Sequence, residues 1–238
     1  MTAPGAAFVA SARQRAACAW LAERGGRTRV KLCGMFREED VEAAAQAAPD
    51  MVGFIVDFPR SHRSVTPERL AALTARLSEG AGPDGRPWAV GVFVDEPADV
   101  VARVAATCGL DLVQLHGHED AAYVRALMAA APGLGVLQAF QVREAADVAR
   151  ACESPAHMVL LDSGQGSGAA FDWTLALGAT RPFVLAGGLG PANVARAVEQ
   201  VAPWGVDMSS GIETDRLKDP AKMCAAVAAV RGARPHKD

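Results

Sequence analysis

The sequence predicts an α/β fold: a single (β/α)8 TIM barrel with an extra helix at its amino terminus. Three observations carry this reading. Eight short, continuously apolar runs recur along the chain, stretches with helical spacing lie between them, and the glycine-rich turns follow the last two runs rather than the first. The 238 residues suit one closed barrel, which commonly takes roughly 250 residues as one unit.

The eight candidate strands are Arg29 to Cys33, Met51 to Val56, Ala89 to Val94, Leu112 to His116, Gly135 to Ala139, Met158 to Asp162, Phe183 to Gly187 and Gly205 to Ser209. Most do not alternate polar with apolar residues. A strand apolar on both sides must be covered on both faces, as parallel strands in α/β folds are. A doubly wound sheet shares the βα alternation, so the glycines decide between the two architectures. A dinucleotide-binding sheet places GxGxxG after its first strand; here that strand ends in Lys31-Leu32-Cys33-Gly34, and the glycine-rich turns follow strands seven and eight.

Helix starts are read where a proline suits the first helical position: Thr66 before Pro67, Glu96 before Pro97, Gly190 before Pro191 and Asp219 before Pro220. Val41, Ala44, Ala45 and Ala48 are expected on the buried face of the first barrel helix. Met223, Cys224, Val227 and Val230 are expected on that of the last. Residues 1–24 are read as a helical extension, with Val9, Arg13, Ala16, Trp20 and Leu21 on its apolar side, and residues 25–238 as the barrel domain.

Composition narrows the function classes. Half of the residues are apolar and the formal net charge is −3, which excludes wholesale disorder and argues against nucleic acid as the main partner. The five cysteines (Cys18, Cys33, Cys108, Cys152, Cys224) are odd in number, scattered and never paired as CxxC, as expected of thiols in a reducing compartment. With no apolar run of roughly 18 residues and no clean signal-peptide core, the expectation is a soluble cytoplasmic protein, not one that spans or lines a membrane. No HExxH, no GxxxxGK[ST] and no tight His, Asp and Glu cluster occurs, so the expected chemistry uses no metal and no cofactor.

Barrel enzymes keep their working residues at the carboxyl ends of strands, and the loops after strands seven and eight commonly hold a phosphate. Strand seven runs into Gly187-Gly188-Leu189-Gly190 and strand eight into Ser209-Ser210-Gly211, where bare backbone amides and hydroxyls can approach an anion. Cys33 closes strand one and Asp162 closes strand six, so both are expected at the same mouth. An electropositive mouth would favour the thiolate as a base, and a carboxyl withdrawn from water would keep its proton as an acid. Gln114 and His116 end strand four and are read as lying on opposite faces of the pleat. Arg63, after strand two, is a candidate to pair with a substrate carboxylate.

These residues, in this order, resemble the phosphoribosylanthranilate isomerase family of tryptophan biosynthesis. The likeness covers nearly the whole chain after about residue 28. It rests on Lys31-Leu32-Cys33-Gly34, Val90-Gly91-Val92-Phe93-Val94 with Glu96-Pro97, Val113-Gln114-Leu115-His116-Gly117, Leu161-Asp162, Leu185-Ala186-Gly187-Gly188-Leu189 and Val206-Asp207-Met208-Ser209-Ser210-Gly211. It also includes Gly166-Ser167-Gly168 and Phe171-Asp172-Trp173. The resemblance implies an Amadori rearrangement of N-(5-phosphoribosyl)anthranilate to 1-(2-carboxyphenylamino)-1-deoxyribulose 5-phosphate. It implies Asp162 as general acid and Cys33 as general base, Arg63 on the anthranilate carboxylate, and Gly187, Gly188, Ser209, Ser210 and Gly211 on the phosphate. Gln114, His116 and Asp207 complete the binding set, with Asp207 ordering the strand-eight loop rather than reacting.

The only partner implied is a small phosphorylated substrate, for a monomer or homodimer. This chain departs from the family pattern in three places: Ile55 to Pro59 is one residue longer, the loop Ser163 to Ala170 is shorter, and Met35-Phe36 replace a commoner Ile-Thr. Two rival readings share the fold: a paralogous sugar-phosphate isomerase of a specialised pathway, and a non-catalytic barrel that binds a phosphorylated ligand. The second has little reason to retain both Cys33 and Asp162.

Overall fold

The computed structural model of the chain describes residues 8–79, 85–162 and 172–234. Eight parallel strands form the barrel wall: β1 (Arg29–Cys33), β2 (Met51–Val56), β3 (Trp88–Phe93), β4 (Leu112–Leu115), β5 (Gly135–Gln141), β6 (Met158–Asp162), β7 (Phe183–Ala186) and β8 (Gly205–Met208). Each bonds to the next, and β8 pairs back to β1, so the wall closes and leaves no edge. A two-residue strand, Ser64–Val65, adds to β2, and a small hairpin of Glu213–Thr214 and Leu217–Lys218 stands beyond β8.

Three strands begin and end where the apolar runs do. The others shift by one or two residues: β3 starts and ends one residue early, β4, β7 and β8 stop one residue short, and β5 runs on to Gln141 because Asp162 of β6 continues the ladder opposite it.

Outside the wall lie α2 (Glu38–Ala47), α3 (Pro67–Glu79), α4 (Ala98–Thr107), α5 (Ala121–Ala130), α6 (Ala145–Cys152), α7 (Val194–Val201) and α8 (Pro220–Gly232). A 3-10 turn, Trp173–Gly178, stands between β6 and β7. Pro67 and Pro220 occupy first helical positions, the latter behind Asp219, whose carboxylate accepts from the N–H groups of Ala221 and Lys222. The other two expected starts are displaced. Pro97 is itself the residue before α4, and Pro191 lies in a turn, while Asn193 precedes α7 and accepts from the N–H of Gly190.

The helix faces also need correcting. In α2, Val41, Ala43, Ala44 and Ala47 are buried, while Ala48 is exposed in the left-handed conformation that ends the helix. In α8, Met223, Ala226, Val227 and Val230 face inward and Cys224 faces out. Alanine is compatible with either environment, so an alanine-rich helix marks its buried face poorly.

Two cores result. One lies between wall and helices. The other fills the barrel and includes Met51, Val90, Leu112, Leu137, Met158, Leu160 and Val184, closed at the amino end by Ala17, Leu21 and Trp204. Ala17 belongs to α1 (Ala12–Trp20), which lies under the barrel. Its buried residues are Gln14 and Ala17, followed by Leu21. Val9 and Ala16, expected inside, are exposed.

A glutamine on the buried side is tolerable because its polar atoms are satisfied. Its Oε1 accepts from the Ser11 N–H at 2.8 Å, and its Nε2 donates to the carbonyls of Leu110 and Ala105 at 2.9 and 3.2 Å. Arg13 stacks over Trp88, and Arg29 over Trp204 and Trp20, so an aromatic floor with two guanidinium lids seals this end. No described helix is long and apolar enough to cross a membrane.

If α1 seals the barrel floor, Leu21→Ala should destabilise the protein by about 3 kcal/mol in urea unfolding, because a fully buried leucine leaves a cavity behind. A loss below about 1 kcal/mol would show that the floor closes without it.

Candidate active site

All eight strands run the same way, so their carboxyl ends share one rim. Cys33 ends β1 and Asp162 ends β6. Going round the wall from β6, only β7 and β8 intervene before β1.

Successive side chains on a strand alternate sides, so Lys31 and Cys33, two residues apart, share the inward face of β1. Lys31 has no solvent exposure, and its Nζ donates to Asp207 Oδ2 at 2.8 Å, from the residue directly opposite it in the β1–β8 ladder. The same ammonium acts electrostatically on Cys33, two positions along the same face of β1, each favouring the charged form of the other. Burial alone would lower the Lys31 pKa, but Asp207 and Cys33 outweigh it and raise the pKa, so the group stays an ammonium.

Burial raises the Cys33 thiol above its ordinary value. Lys31 pulls it down, Asp207 pushes it further up and Lys218 pulls it down, with burial prevailing. The expectation that the mouth favours the thiolate is therefore corrected: the positive groups restrain the desolvation of a cysteine only 6% exposed but do not overcome it.

Beside this group, Arg63 makes a bidentate pair with Glu213, Nε to Oε1 at 2.5 Å and Nη2 to Oε2 at 2.7 Å. Lys218, also fully buried at its side chain, meets Glu213 Oε1 at 2.7 Å and donates to the Ser209 carbonyl at 3.0 Å. Burial would raise the Glu213 pKa, but the hydrogen bonds from Arg63 and Lys218 reverse this and bring it down to about 2. Arg63 is therefore a held side chain rather than a solvated loop arginine, and its pair with Glu213 leaves the Nη1 edge of the fork uncommitted among the described residues.

Across the rim, Gln114 and His116 meet each other, Nε2 to Nδ1 at 2.9 Å. The expectation that they lie on opposite faces is overturned, because residues two apart on a pleated strand point the same way. The amide nitrogen can only donate, so His116 Nδ1 accepts and its Nε2 carries the proton, 3.6 Å from Asp162 Oδ2. Gln114 Oε1 and Asp207 Oδ1 are two of the three buried side-chain polar atoms among the described residues that lack a hydrogen-bond partner.

The loops after β7 and β8 touch through backbone. A Cβ on Gly211 would overlap the Leu189 carbonyl, and one on Gly190 would lie 2.9 Å from the Gly211 carbonyl, so only glycine lets the loops meet. Within them the N–H groups of Gly187, Gly188, Ser210 and Gly211 find no acceptor among the described residues. Amides left open in this way at a strand–turn junction make an anion-binding concavity. The shortened loop 163–170, with Gly166-Ser167-Gly168 and Phe171, lies outside the described residues. No three described His, Cys, Asp or Glu side chains gather as metal ligands.

A cleft of about 490 Å³ opens at the opposite, amino end, lined in part by Arg24, Arg27, Arg29 and Arg181. All four arginines are engaged in the fold: Arg24 with the Ala22 carbonyl, Arg27 with Asp50, Arg29 with Trp204, and Arg181 with the carbonyls of Ser154 and Ala156. The rim at the other end is where ionisable groups converge on open amides.

Three residues of this site escape a reading of the sequence. Lys31 had a usable signal, being a charged residue in the middle of an apolar run and two positions before Cys33. Glu213 and Lys218 had none, since the pairing of Arg63 with Glu213 spans 150 positions.

Comparisons with known proteins give the family of the chain. The family model for N-(5'-phosphoribosyl)anthranilate isomerase matches residues 30–229. An isomerase of that name from Desulforudis audaxviator is 38% identical over 215 residues, covering 87% of this chain and 99% of the relative. One from Dechloromonas aromatica is 41% identical over 216 residues, covering 87% and 98%.

Among solved structures, phosphoribosyl anthranilate isomerase from Thermotoga maritima superposes with a TM-score of 0.74 at 34% identity, over 86% of this chain and 99% of that one. Another, in complex with reduced 1-(o-carboxyphenylamino)-1-deoxyribulose 5-phosphate, gives 0.73 at 33% identity over the same shares. With the model match spanning most of the barrel and relatives this similar along nearly their whole length, the chain belongs to the N-(5'-phosphoribosyl)anthranilate isomerase family.

Proposed function

We propose that this chain carries out the family's Amadori rearrangement with Asp162 as acid and Cys33 as base, on a sugar whose phosphate is held by the loops between them. The observation that carries the reading is the order of parts round the rim: acid at β6, open-amide loops at β7 and β8, thiol at β1. A pentose phosphate seated with its phosphoryl group on the amides of Gly187, Gly188, Ser210 and Gly211, beside Ser209, extends its sugar across the barrel between the two side chains.

Asp162 delivers a proton to the furanose ring oxygen as the C1'–O bond breaks, and the anilino nitrogen supplies the electron pair that forms the imine. Cys33, as thiolate, then takes the proton from C2'. The electrons move to make the enolamine, which tautomerises to the ketone by taking a proton at C1' and giving up the proton of its C2' hydroxyl. Nothing is gained or lost overall, so two proton-transfer groups suffice.

His116 presents its Nε2 proton toward Asp162 and assists re-protonation of that carboxylate. The unpartnered oxygens of Gln114 and Asp207 are acceptors for substrate hydroxyls, which removes the cost of burying them unsatisfied. Glu213 orients Arg63 so that its Nη1 edge meets the anthranilate carboxylate. The reading requires a small phosphorylated substrate and a cytoplasmic supply of it, with no nucleic acid partner. The phosphoribosylanthranilate isomerase of Thermotoga maritima is dimeric.

With substrate generated in situ and followed by loss of anthranilate-type fluorescence, Cys33→Ala and Asp162→Ala should each lower kcat by at least about 100-fold and leave KM nearly unchanged, as removal of a general acid or base does. Wild-type turnover in either variant would remove that residue from the mechanism.

The pH dependence follows from the raised thiol. A base must be deprotonated to act, and a thiol pKa above the ordinary 9.0 keeps most of the sulfur protonated near neutrality. The kcat/KM profile of the free enzyme should therefore still be rising at pH 9. A plateau reached by about pH 7 would mean that another group is the base.

A further inference from the structure

An ammonium is almost never fully buried unless it is paired, and the groups around it then say what it serves. Lys31 is enclosed on the inner wall of the barrel. Two features of the fold hold it beside Cys33. Asp207 lies opposite it in the ladder and takes one of its protons at 2.8 Å. On the other side, β2 passes with Gly53 directly opposite Cys33 in the ladder. A Cβ on Gly53 would stand 2.7 Å from the Cys33 sulfur and 3.0 Å from Lys31 Nζ, so any side chain there would push the two apart. The glycine leaves open the space that both sulfur and ammonium border.

We propose that Lys31 is a positioning residue for the isomerisation: held by Asp207 and given room by Gly53, its ammonium acts on the Cys33 sulfur and stabilises it as an anion. This rests on the reading of Cys33 as the base and adds what makes a buried thiol able to act as one.

The charged groups that face the sulfur are Lys31, Asp207 and Lys218. Lys218 is already matched by Glu213, and Asp207 opposes the anion, so Lys31 supplies the principal stabilisation. When Cys33 takes the C2' proton, the sulfur becomes neutral and the ammonium keeps its bond to Asp207. The pair therefore needs no rearrangement during the reaction. Conversely, a neutral side chain at position 31 leaves a buried thiolate beside a buried carboxylate.

The test reads the sulfur itself. In protein labelled with [3-13C]cysteine, the Cys33 signal is assigned by its loss in Cys33→Ser, and its pH titration is compared between wild type and Lys31→Met. The Cys33 midpoint should rise by at least about one pH unit, the size of effect that a nearby charge produces. At a fixed pH below both midpoints, kcat should fall about tenfold for each pH unit by which the midpoint rises, with KM within about twofold of wild type.

Should Lys31→Met fail to fold because Asp207 is left buried and unpaired, the double variant Lys31→Met/Asp207→Asn removes that charge too. Its midpoint should still lie above the wild-type value, because the lost attraction of Lys31 exceeds the lost repulsion of Asp207. A midpoint at or below that of wild type in a folded variant overturns the proposal. The titration reports ionisation whether or not Cys33 is the base. If Cys33→Ala were fully active while the midpoint rose as expected, the fault would lie with the catalytic reading instead.

Discussion

A positive charge sealed inside a protein survives only if a negative one meets it there, and the Lys31–Asp207 contact is the point from which the rest of this rim is organised. It fixes β1 against β8 at the place where the barrel closes, and it puts an ammonium under the thiol. Each further ion follows the same rule. Glu213 takes Arg63 and Lys218 together, and Lys218 ties the group to the Ser209 carbonyl of the β8 loop. The charges thus form two neighbouring clusters across the β1–β8 seam. Such pairs contribute little net stability, because desolvation offsets most of their attraction, but removing one partner is costly. Their worth lies in holding side chains at the mouth without recourse to loop rigidity.

The opposite end of the barrel uses the other kind of interaction. Leu21 and Ala17, with the Trp20, Trp88 and Trp204 rings, close the floor with apolar area, and arginines cover the rings from outside. This separation of labour lets the carboxyl end carry polar atoms left without partners, Asp207 Oδ1 and Gln114 Oε1 among them. A barrel stabilised from its floor and its helical shell can keep such a rim poised for a ligand that satisfies it.

Much of this was legible in the chain. Continuous apolar runs located the strands to within two residues, because a wall covered on both faces admits few polar side chains. The same rule made the ends of those runs informative: Cys33, Asp162, Gly187 and Ser209 are where the apolar pattern stops. Helix faces were less legible, since Ala48 and Cys224 are as apolar as residues that are buried, and Gln14 is polar yet enclosed by the carbonyls it bonds. Pro97 and Pro191 marked turns near helices rather than first helical positions. Long-range charge pairing was not legible. Nothing near Arg63 announces Glu213, and Lys31 looks like an interruption of a strand until Asp207 is seen opposite it.

The rearrangement needs the sulfur close to one carbon of the sugar while the phosphate rests on the β7 and β8 loops and the ammonium stays beneath. The most direct measurement is an experimental structure of this chain with reduced 1-(o-carboxyphenylamino)-1-deoxyribulose 5-phosphate bound. The proposed mechanism predicts the Cys33 sulfur about 3.5 Å from C2', Lys31 still on Asp207, and the phosphoryl oxygens on the amides of Gly187, Gly188, Ser210 and Gly211. A ligand with its phosphate elsewhere, or with the sulfur turned away into the barrel wall, would contradict it.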